Sequence, residues 1–387
     1  MKKIIFINSH PVQYFAPLYK YMNLQGLPTA CWYCSDETLK GHKDRQFNVD
    51  VKWDVPVLEG YAYRFFKNYS WKPSLYNGFF GLFNPAMITA LFREPKSVVV
   101  VHGWAYFTNI LVLIFARLAG HTVCLRGENP LNQERLKSKR NNRVKKLWFR
   151  SFIFPFVHKF LFIGLQNKAF YLYYGVKEES LVFVPYAVDN QRFQQFAREW
   201  TLKKKELRMK LGFPPEAQII LFTAKFIQKK RPLDLLKAYA SLQLENKCLV
   251  MVGDGELRSQ MEQFITQNGL AGVYLPGFIN QREIMAYYAL ADVFVLCSGE
   301  GETWGLSVNE AMNFGLPVVV SDIAGCSTDL VEVGKNGFVF KTGDVEELSA
   351  KIKEAFKLDG HQSDEIIQKY SFEFIGQSLS RISGENN

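Results

Sequence analysis

No part of this 387-residue chain stays apolar for long. The nearest approach to a membrane span, 147–165, is broken by Arg150, Pro155, His158 and Lys159. A spanning helix needs about 20 mostly apolar residues, so none is expected. The start offers only the run Ile4, Ile5, Phe6, Ile7 before Asn8, Ser9 and His10. A secretory leader needs roughly 7–15 apolar residues, and the run reads instead as a first buried strand. Cysteine is sparse, with six in all, mostly within strand-like apolar runs. Cys31-Trp32-Tyr33-Cys34 has the CxxC spacing, but no second pair and no following helix accompany it. Zinc and thiol-redox roles therefore give way to two strand thiols, and a reducing, cytoplasmic setting follows. No G-x-G-x-x-G follows the first strand, which speaks against a dehydrogenase. No Asp-x-Asp stands at a strand end, so neither a metal nor a cofactor is expected.

What is present is ample core material, 48% hydrophobic residues against 22% charged. The length exceeds what one core organises and points to two domains. The formal net charge of +10 favours anionic partners such as phosphates or anionic lipid.

Short apolar runs alternate with helix-length mixed segments. In the first half, 4–7, Thr29–Tyr33, 97–101, 122–125, Lys159–Phe162 and 181–184 read as strands, with helices at Ala16–Leu24 and 107–119. In the second half, strands are predicted at 218–222, Lys247–Val252, 273–275, 293–297 and Val318–Ser321. Helices are predicted between them at 232–243, 256–268, 281–289 and 306–314, and a last one at 345–356. Val- and Ile-rich strands without polar alternation imply parallel sheets covered on both faces. The class is α/β, with two Rossmann-like doubly wound domains facing across a cleft. The boundary is placed in the polar stretch 193–212, giving domains 1–195 and 200–370. A last helix, about 371–387, is expected to pack back on the first domain. Ligands of open α/β sheets bind beyond the carboxyl ends of the strands, so chemistry is sought in strand-to-helix loops.

The most informative loop follows Cys297. Ser298-Gly-Glu-Gly-Glu-Thr-Trp-Gly305 precedes a helix that begins near Leu306 and is closed by Gly315-Leu316-Pro317. It places backbone N–H groups at a strand end, where phosphate binds. Two carboxylates, Glu302 and Glu310, accompany them, and carboxylates accept hydrogen bonds from the paired hydroxyls of ribose and sugars. Taken alone, Glu302 could equally be an acidic residue near a helix start.

Glu302 and Glu310 form an E-x7-E pair. The string Glu302-Thr-Trp-Gly-Leu-Ser-Val-Asn-Glu-Ala-Met312, then Gly315-Leu-Pro-Val-Val319, resembles the donor-site signature of the family-four retaining glycosyltransferases. Those enzymes have the GT-B fold. Ala224-Lys225-Phe226 with Lys230-Arg231 is similar to the family's Gly-Arg-Leu…Lys-Gly element, with Lys225 where the family usually has Arg. Two cations after a strand can neutralise a departing diphosphate. Gly253-Asp254-Gly255 and Gly277-Phe278 resemble the strand-end loops around the nucleotide, and Gly253 and Gly277 would allow close backbone approach. Tyr186-Ala187-Val188-Asp189 resembles an Asn-Gly-Val-Asp stretch, departing at its first two positions.

The resemblance implies a nucleotide-sugar donor. Lys225, Lys230 and the amides near Gly305 and Leu306 would hold its diphosphate, Glu310 its ribose, and Glu302 and His102 its sugar, with Thr303 beside them. His102-Gly103-Trp104 is similar to the family's cleft histidine. His10 and Gln13, in a loop without the usual Gly-Gly, and Arg126 with Glu128, where many relatives carry a second histidine, are assigned to the acceptor side. The stretch 135–150 holds eight basic residues and is followed by Trp148, Phe149, Phe152, Ile153, Phe154, Phe156 and Val157. A basic helix beside an apolar stripe makes an anionic membrane surface a candidate partner through 135–157. A solvated helix followed by a buried one reads the same residues. No nucleic-acid partner is expected. The function implied is retaining, metal-independent transfer of a sugar to a glycan or lipid-linked acceptor. Surface polysaccharide or lipopolysaccharide assembly, at the inner face of the membrane, is its setting. The alternatives are a nucleotide-sugar epimerase of the same architecture and a non-catalytic nucleotide- or lipid-binding protein.

Overall fold

The computed structural model describes residues 1–39, 43–44, 49–50 and 54–385. The chain forms two α/β units; residues 43–44, 49–50 and 54–55 group with the second, into which the chain passes for its main segment at Tyr186–Ala187. The second ends at Ser371, and the first resumes at Phe372.

Unit 1 is built on a sheet of β1 (Ile4–Asn8), β2 (Thr29–Tyr33), β3 (Ala62–Phe65), β4 (Val98–His102), β5 (Thr122–Arg126), β6 (Lys159–Phe162) and β7 (Leu181–Phe183). Their order is β3-β2-β1-β4-β5-β6-β7, and every pairing is parallel. Four consecutive valines, Val98 to Val101, show no exposed surface, as a strand covered on both faces requires. Ile5, Ile7, Val99, Val101, Val123 and Leu125 share one core with residues of α2 (Pro85–Arg93) and α3 (Phe107–Leu118). Their alternates Ile4, Phe6, Val98 and Val100 are as deeply buried. The unit also contains α1 (Ala16–Leu24), α4 (Lys139–Trp148) and α5 (Leu165–Tyr173).

Unit 2 repeats the plan. Helices α6 (Asn190–Trp200) and α7 (Lys204–Lys210) come first, so the polar stretch 193–212 is mostly helical rather than an open linker. Its strands are β8 (Gln218–Thr223), β9 (Lys247–Val252), β10 (Val273–Gly277), β11 (Val293–Leu296), β12 (Val318–Ser321) and β13 (Gly337–Phe340). They lie in the parallel order β10-β9-β8-β11-β12-β13. Between and after them run α8 (Pro232–Ser241), α9 (Arg258–Gln267), α10 (Ile284–Leu290), α11 (Leu306–Met312) and α12 (Val345–Ala355). Ile220, Leu249, Met251, Val293 and Val295 meet Leu235, Leu236, Leu348 and Ile352 in its core.

The last helix, α13 (Phe372–Gly384), belongs to unit 1. Phe374 packs 5.4 Å from Phe183, and Ser383 Oγ donates to Lys2 O at 2.7 Å. Residues 386–387 of the expected terminal helix lie outside the described residues. Among the described residues no helix is long and apolar enough to cross a membrane. The two units match the α/β, GT-B architecture expected from the sequence.

Candidate functional site

The loops at the carboxyl end of the unit 2 sheet carry most of the expected residues. After β8 the chain turns through Ala224, Lys225 and Phe226 and is clasped by the loop after β9. Phe226 N donates to Asp254 O at 2.8 Å, and Leu257 N donates to Phe226 O at 2.9 Å. Gly253 has φ 145°, and a Cβ there would lie 1.9 Å from Ala224 O. Its close approach, expected to serve the nucleotide, is made to this chain's own backbone. Gly277, at the end of β10, accepts from Gly253 N at 2.9 Å, with Phe278 half-buried beside it.

Lys230 ends the same loop and pairs with Glu302. Glu302 is 7% exposed, and that burial alone would raise its carboxyl. The charges of Lys230 and Lys229 outweigh burial and hold it below the usual carboxylate range. Lys229, not singled out in the sequence, lies against Gly301, where a Cβ would meet its Cδ at 3.4 Å. Burial lowers its ammonium pKa, Lys230 and Lys225 lower it further, and Glu302 opposes them. Lys229 and Lys230 thus act on a single carboxylate, and Lys225 acts on Lys229. Arg231 follows in the left-handed region at φ 50°, where the resembling element has glycine. Its Nε bonds Asp234 Oδ2 at 2.6 Å. A non-glycine residue there costs about 1 kcal/mol or more.

The donor loop is held from beneath by residues that sequence reasoning missed. Gly325 N donates to Glu302 O, and Cys326 N to Trp304 O, both at 3.2 Å. A Cβ on Gly325 would sit 1.9 Å from Thr303 O, which only glycine avoids. Gly305, at φ 113°, then turns the chain into α11, whose first residue, Leu306, is half-buried. Glu310 is 2% exposed and accepts from Tyr288 Oη at 2.6 Å, while Thr223 Oγ1 lies 2.7 Å from the same hydroxyl. Trp304 Nε1 donates to Asn309 Oδ1 at 2.8 Å, and its ring lies 5.6 Å from that of Tyr370. Asn313 Nδ2 donates to Asn190 Oδ1 at 2.9 Å, and Asn190 Nδ2 reaches Ile367 O and Tyr370 O.

Unit 1 presents a different chemistry at its strand ends. His102 closes β4, and its Nε2 is buried with no hydrogen-bond partner among the described residues. Burial, and after it the charge of Arg126, lower its pKa well below the ordinary value, so the ring is neutral at pH 7. Phe15 meets it edge-on at 4.7 Å. Asn109 pins the backbone by donating to His102 O at 2.8 Å and Gly103 O at 3.1 Å. Asn8, one step beyond the Ile7–Val101 register, and Gln13 each carry a buried amide oxygen with no hydrogen-bond partner among the described residues. Asn8 was not singled out in the sequence, and no motif marks it. His10 Nδ1 lies 2.9 Å from Ser9 Oγ, and burial lowers its pKa, with Glu37 opposing. Arg126 is only 4% exposed. It donates to Val184 O at 2.9 Å and Pro185 O at 3.3 Å and packs over the Tyr186 and Phe15 rings. Its guanidinium thus braces the end of β7. Glu128 Oε1 lies 3.9 Å from its Nε.

The basic stretch is partly turned inward. Lys145 and Lys137 pair with Glu134, which is 1% exposed, at 2.7 and 3.1 Å, and Tyr174 Oη donates to it at 2.6 Å. Phe149 and Ile153 are in the core. Leu136, Val144, Leu147 and Phe152 remain exposed, beside Arg135, Arg143 and Arg150. The side chains of residues 139 and 140 lie outside the described residues.

Two parallel-sheet units with cations and a paired carboxylate at one set of strand ends define the GT-B class of fold. Residues 203–373 match the family described as glycosyl transferases group 1, which takes in the donor loop and the lysine cluster. The chain is 34% identical over 170 residues to the sulfoquinovosyl transferase SQD2 of Arabidopsis thaliana, covering 43% of this chain and 32% of that protein. It is 30% identical over 145 residues to the putative teichuronic acid biosynthesis glycosyltransferase TuaC of Bacillus subtilis, covering 38% and 34%. The chain spans about a third of the length of these curated relatives. The structure of Anabaena HepE with UDP and glucose superposes with TM-score 0.71 at 18% identity, covering 99% of each chain. The lipopolysaccharide outer core galactosyltransferase WaaB superposes with TM-score 0.67 at 15% identity, covering 98% of each.

Proposed function

We propose that this chain transfers a sugar from a nucleotide-sugar donor to a glycan or lipid-linked acceptor in surface polysaccharide, lipopolysaccharide or glycolipid assembly. The observation that carries this function is the pairing of Glu302 with Lys230, under the charge of Lys229 as well, at the carboxyl end of the unit 2 sheet. Two ammonium groups, those of Lys229 and Lys230, act on this one carboxylate, and a diphosphate supplies further negative charge. The cluster lies inside the region that matches the glycosyl transferases. The names of the relatives, a sulfoquinovosyl transferase and a teichuronic acid glycosyltransferase, and the UDP and glucose bound in HepE, support the same substrate class.

In the proposed reaction, Lys225 and Lys230 stabilise the departing nucleoside diphosphate. Glu310, held by Tyr288, accepts from the ribose hydroxyls, and Glu302 fixes the sugar. Neutral His102, Gln13 and His10 in unit 1 accept and donate hydrogen bonds to hydroxyls. The bond from the anomeric carbon to the diphosphate breaks. A bond to the acceptor oxygen forms on the same face, and the acceptor's proton leaves with the phosphate. Configuration is retained, and no metal takes part. The chain works in the cytoplasm and rests on the inner membrane face through Leu136, Val144, Leu147, Phe152 and their neighbouring arginines.

The test is a thermal-shift screen of the full chain against nucleotide sugars and nucleoside diphosphates, with Glu310→Ala as control. A ligand that binds only the folded state raises Tm by mass action. The expected result is a rise with one nucleotide sugar that is lost in the variant. No rise with any nucleotide would overturn the proposal in favour of a non-catalytic role. Flotation with anionic liposomes at low salt tests the membrane contact, which fails if the chain stays with the soluble fraction.

A further inference from the structure

The loop 66–84, between β3 and α2, holds a row of aromatic rings in the open. Trp71 is 95% exposed, Phe80 68% and Tyr69 55%. The loop is nevertheless closely tied. Asn68 Oδ1 accepts from Ser70 N at 3.0 Å and Phe83 N at 2.9 Å, and its Nδ2 donates to Gly81 O at 2.9 Å. Tyr69 N donates to Phe83 O at 2.7 Å, Asn77 Nδ2 to Lys72 O at 2.9 Å, and Tyr106 Oη to Leu75 O at 2.8 Å. Glu37, from another loop, accepts from Leu75 N at 3.1 Å. Backbone groups satisfied in this way fix the loop's shape, and the rings face water because that shape puts them there.

Together with Phe107 at the start of α3, the loop forms a groove of about 500 Å3, lined by Tyr69, Trp71, Lys72, Asn77 and Phe80. Phe79, Phe80 and Phe107 brace one another at 5.0 to 5.9 Å. The groove opens at the carboxyl end of the unit 1 sheet, because its loop follows β3 and Phe107 follows β4. Residues 66–84 include Lys67 and Lys72 and no carboxylate. Lys67 lies over the Tyr69 ring, which leaves Lys72 as the cation in the groove.

We infer that this groove is a subsite for an acidic sugar residue of the acceptor glycan, apart from the residue that reacts. A sugar ring is apolar on its C–H face and polar around its edge. A flat indole or phenyl ring covers the first, while an amide and an ammonium at the rim bind the second. Concave grooves of this size take small ligands by that division of apolar walls and few polar groups. Glu37, the carboxylate that reaches this loop, accepts from Ser74 Oγ at 3.2 Å and Leu75 N at 3.1 Å, and Lys72 in the groove selects a sugar bearing a carboxylate or phosphate.

The inference rests on the transferase function proposed above, and its test separates the two. The full chain is titrated by calorimetry with an oligogalacturonate and with maltohexaose. Trp71→Ala and Lys72→Gln are run beside it, and thermal shift with nucleoside diphosphates is recorded for all three. The expected result is binding of the oligogalacturonate, weakened about tenfold in Trp71→Ala. Lys72→Gln should reduce its affinity to that of maltohexaose, and the nucleotide shifts should stay unchanged. No saccharide binding, or equal binding by Trp71→Ala, overturns the subsite. So does Trp71-dependent sedimentation with phosphatidylglycerol vesicles in the absence of saccharide binding, which would make the groove a lipid contact. Saccharide binding through Trp71 without any nucleotide shift leaves the subsite standing and removes the donor function.

Discussion

At the carboxyl end of its sheet unit 2 sets Lys229 and Lys230 against Glu302, with the charge of Lys225 acting on Lys229. At the same end of its own sheet, unit 1 sets out Asn8, Gln13 and His102, polar but uncharged. The two sheets share a plan, and the difference lies in what the loops carry. Cations suit a leaving group that gains charge. Neutral donors and acceptors suit hydroxyls, which a fixed charge would orient but not discriminate. Arg126, the charge nearest His102, is bound to backbone carbonyls, and its main effect on the ring is to keep it neutral.

The contrast can be broken most directly at Lys230. Lys230→Ala should lower kcat/KM by about 10²- to 10³-fold, as loss of one charge-stabilising group does. Burial then dominates at Glu302, whose carboxyl should move up. An equal loss of turnover in His102→Ala, measured under the same steady-state conditions, would erase the distinction between the units. Next in size, Gly253→Ala should cost about 3 kcal/mol in urea unfolding, since its Cβ meets the Ala224 carbonyl. A variant as stable as the parent would show that the clasp between the loops after β8 and β9 is dispensable. Lys229→Ala should weaken nucleoside diphosphate binding about tenfold and flatten its salt dependence, read by calorimetry at two ionic strengths.

The smallest effect is a pH dependence in unit 1. The folded pKa of His102 lies below its unfolded value, so the unfolded chain takes up the proton first as pH falls. Stability is therefore complete above about pH 6.5 and declines below it, by at most about 1.4 kcal/mol per pH unit for one group. His102→Gln should make the urea midpoint less sensitive between pH 7 and 5.5. Some slope should remain, because His10 and His158 are shifted the same way. An unchanged slope would mean that His102 is not held neutral.

Much of the fold was legible because buried parallel strands write themselves as runs such as Val98 to Val101. β3 was not, since Ala62-Tyr63-Arg64-Phe65 is an edge strand with exposed side chains and no apolar run. The donor loop was legible from the string between Glu302 and Pro317. Lys229 was hidden among Lys229-Lys230-Arg231, where composition cannot tell which ammonium turns toward a carboxylate. Tyr288, Gly325 and Cys326 come from distant segments that only tertiary packing brings beneath the loop. Arg126 shows the converse: its place after β5 assigned it to the acceptor side, while its Nη1 and Nη2 donate to the backbone carbonyls of Val184 and Pro185.

Asn190 and Tyr370, whose side chain and carbonyl touch, stand near the start and the end of the main segment of unit 2, Ala187–Ser371. A segment whose ends meet can be lifted out of a host chain and another set in its place without stretching either. From Ala187 to Ser371 this protein carries such a segment, to which one earlier stretch is tied, with Arg282 N donating to Asp54 Oδ2 at 3.0 Å. Trp304 against Tyr370 and Asn313 against Asn190 mean that the loop after β11 and the helix following it are tied to both ends of that segment. An exchange of this segment would carry the loop after β11 and the residues beneath it across together.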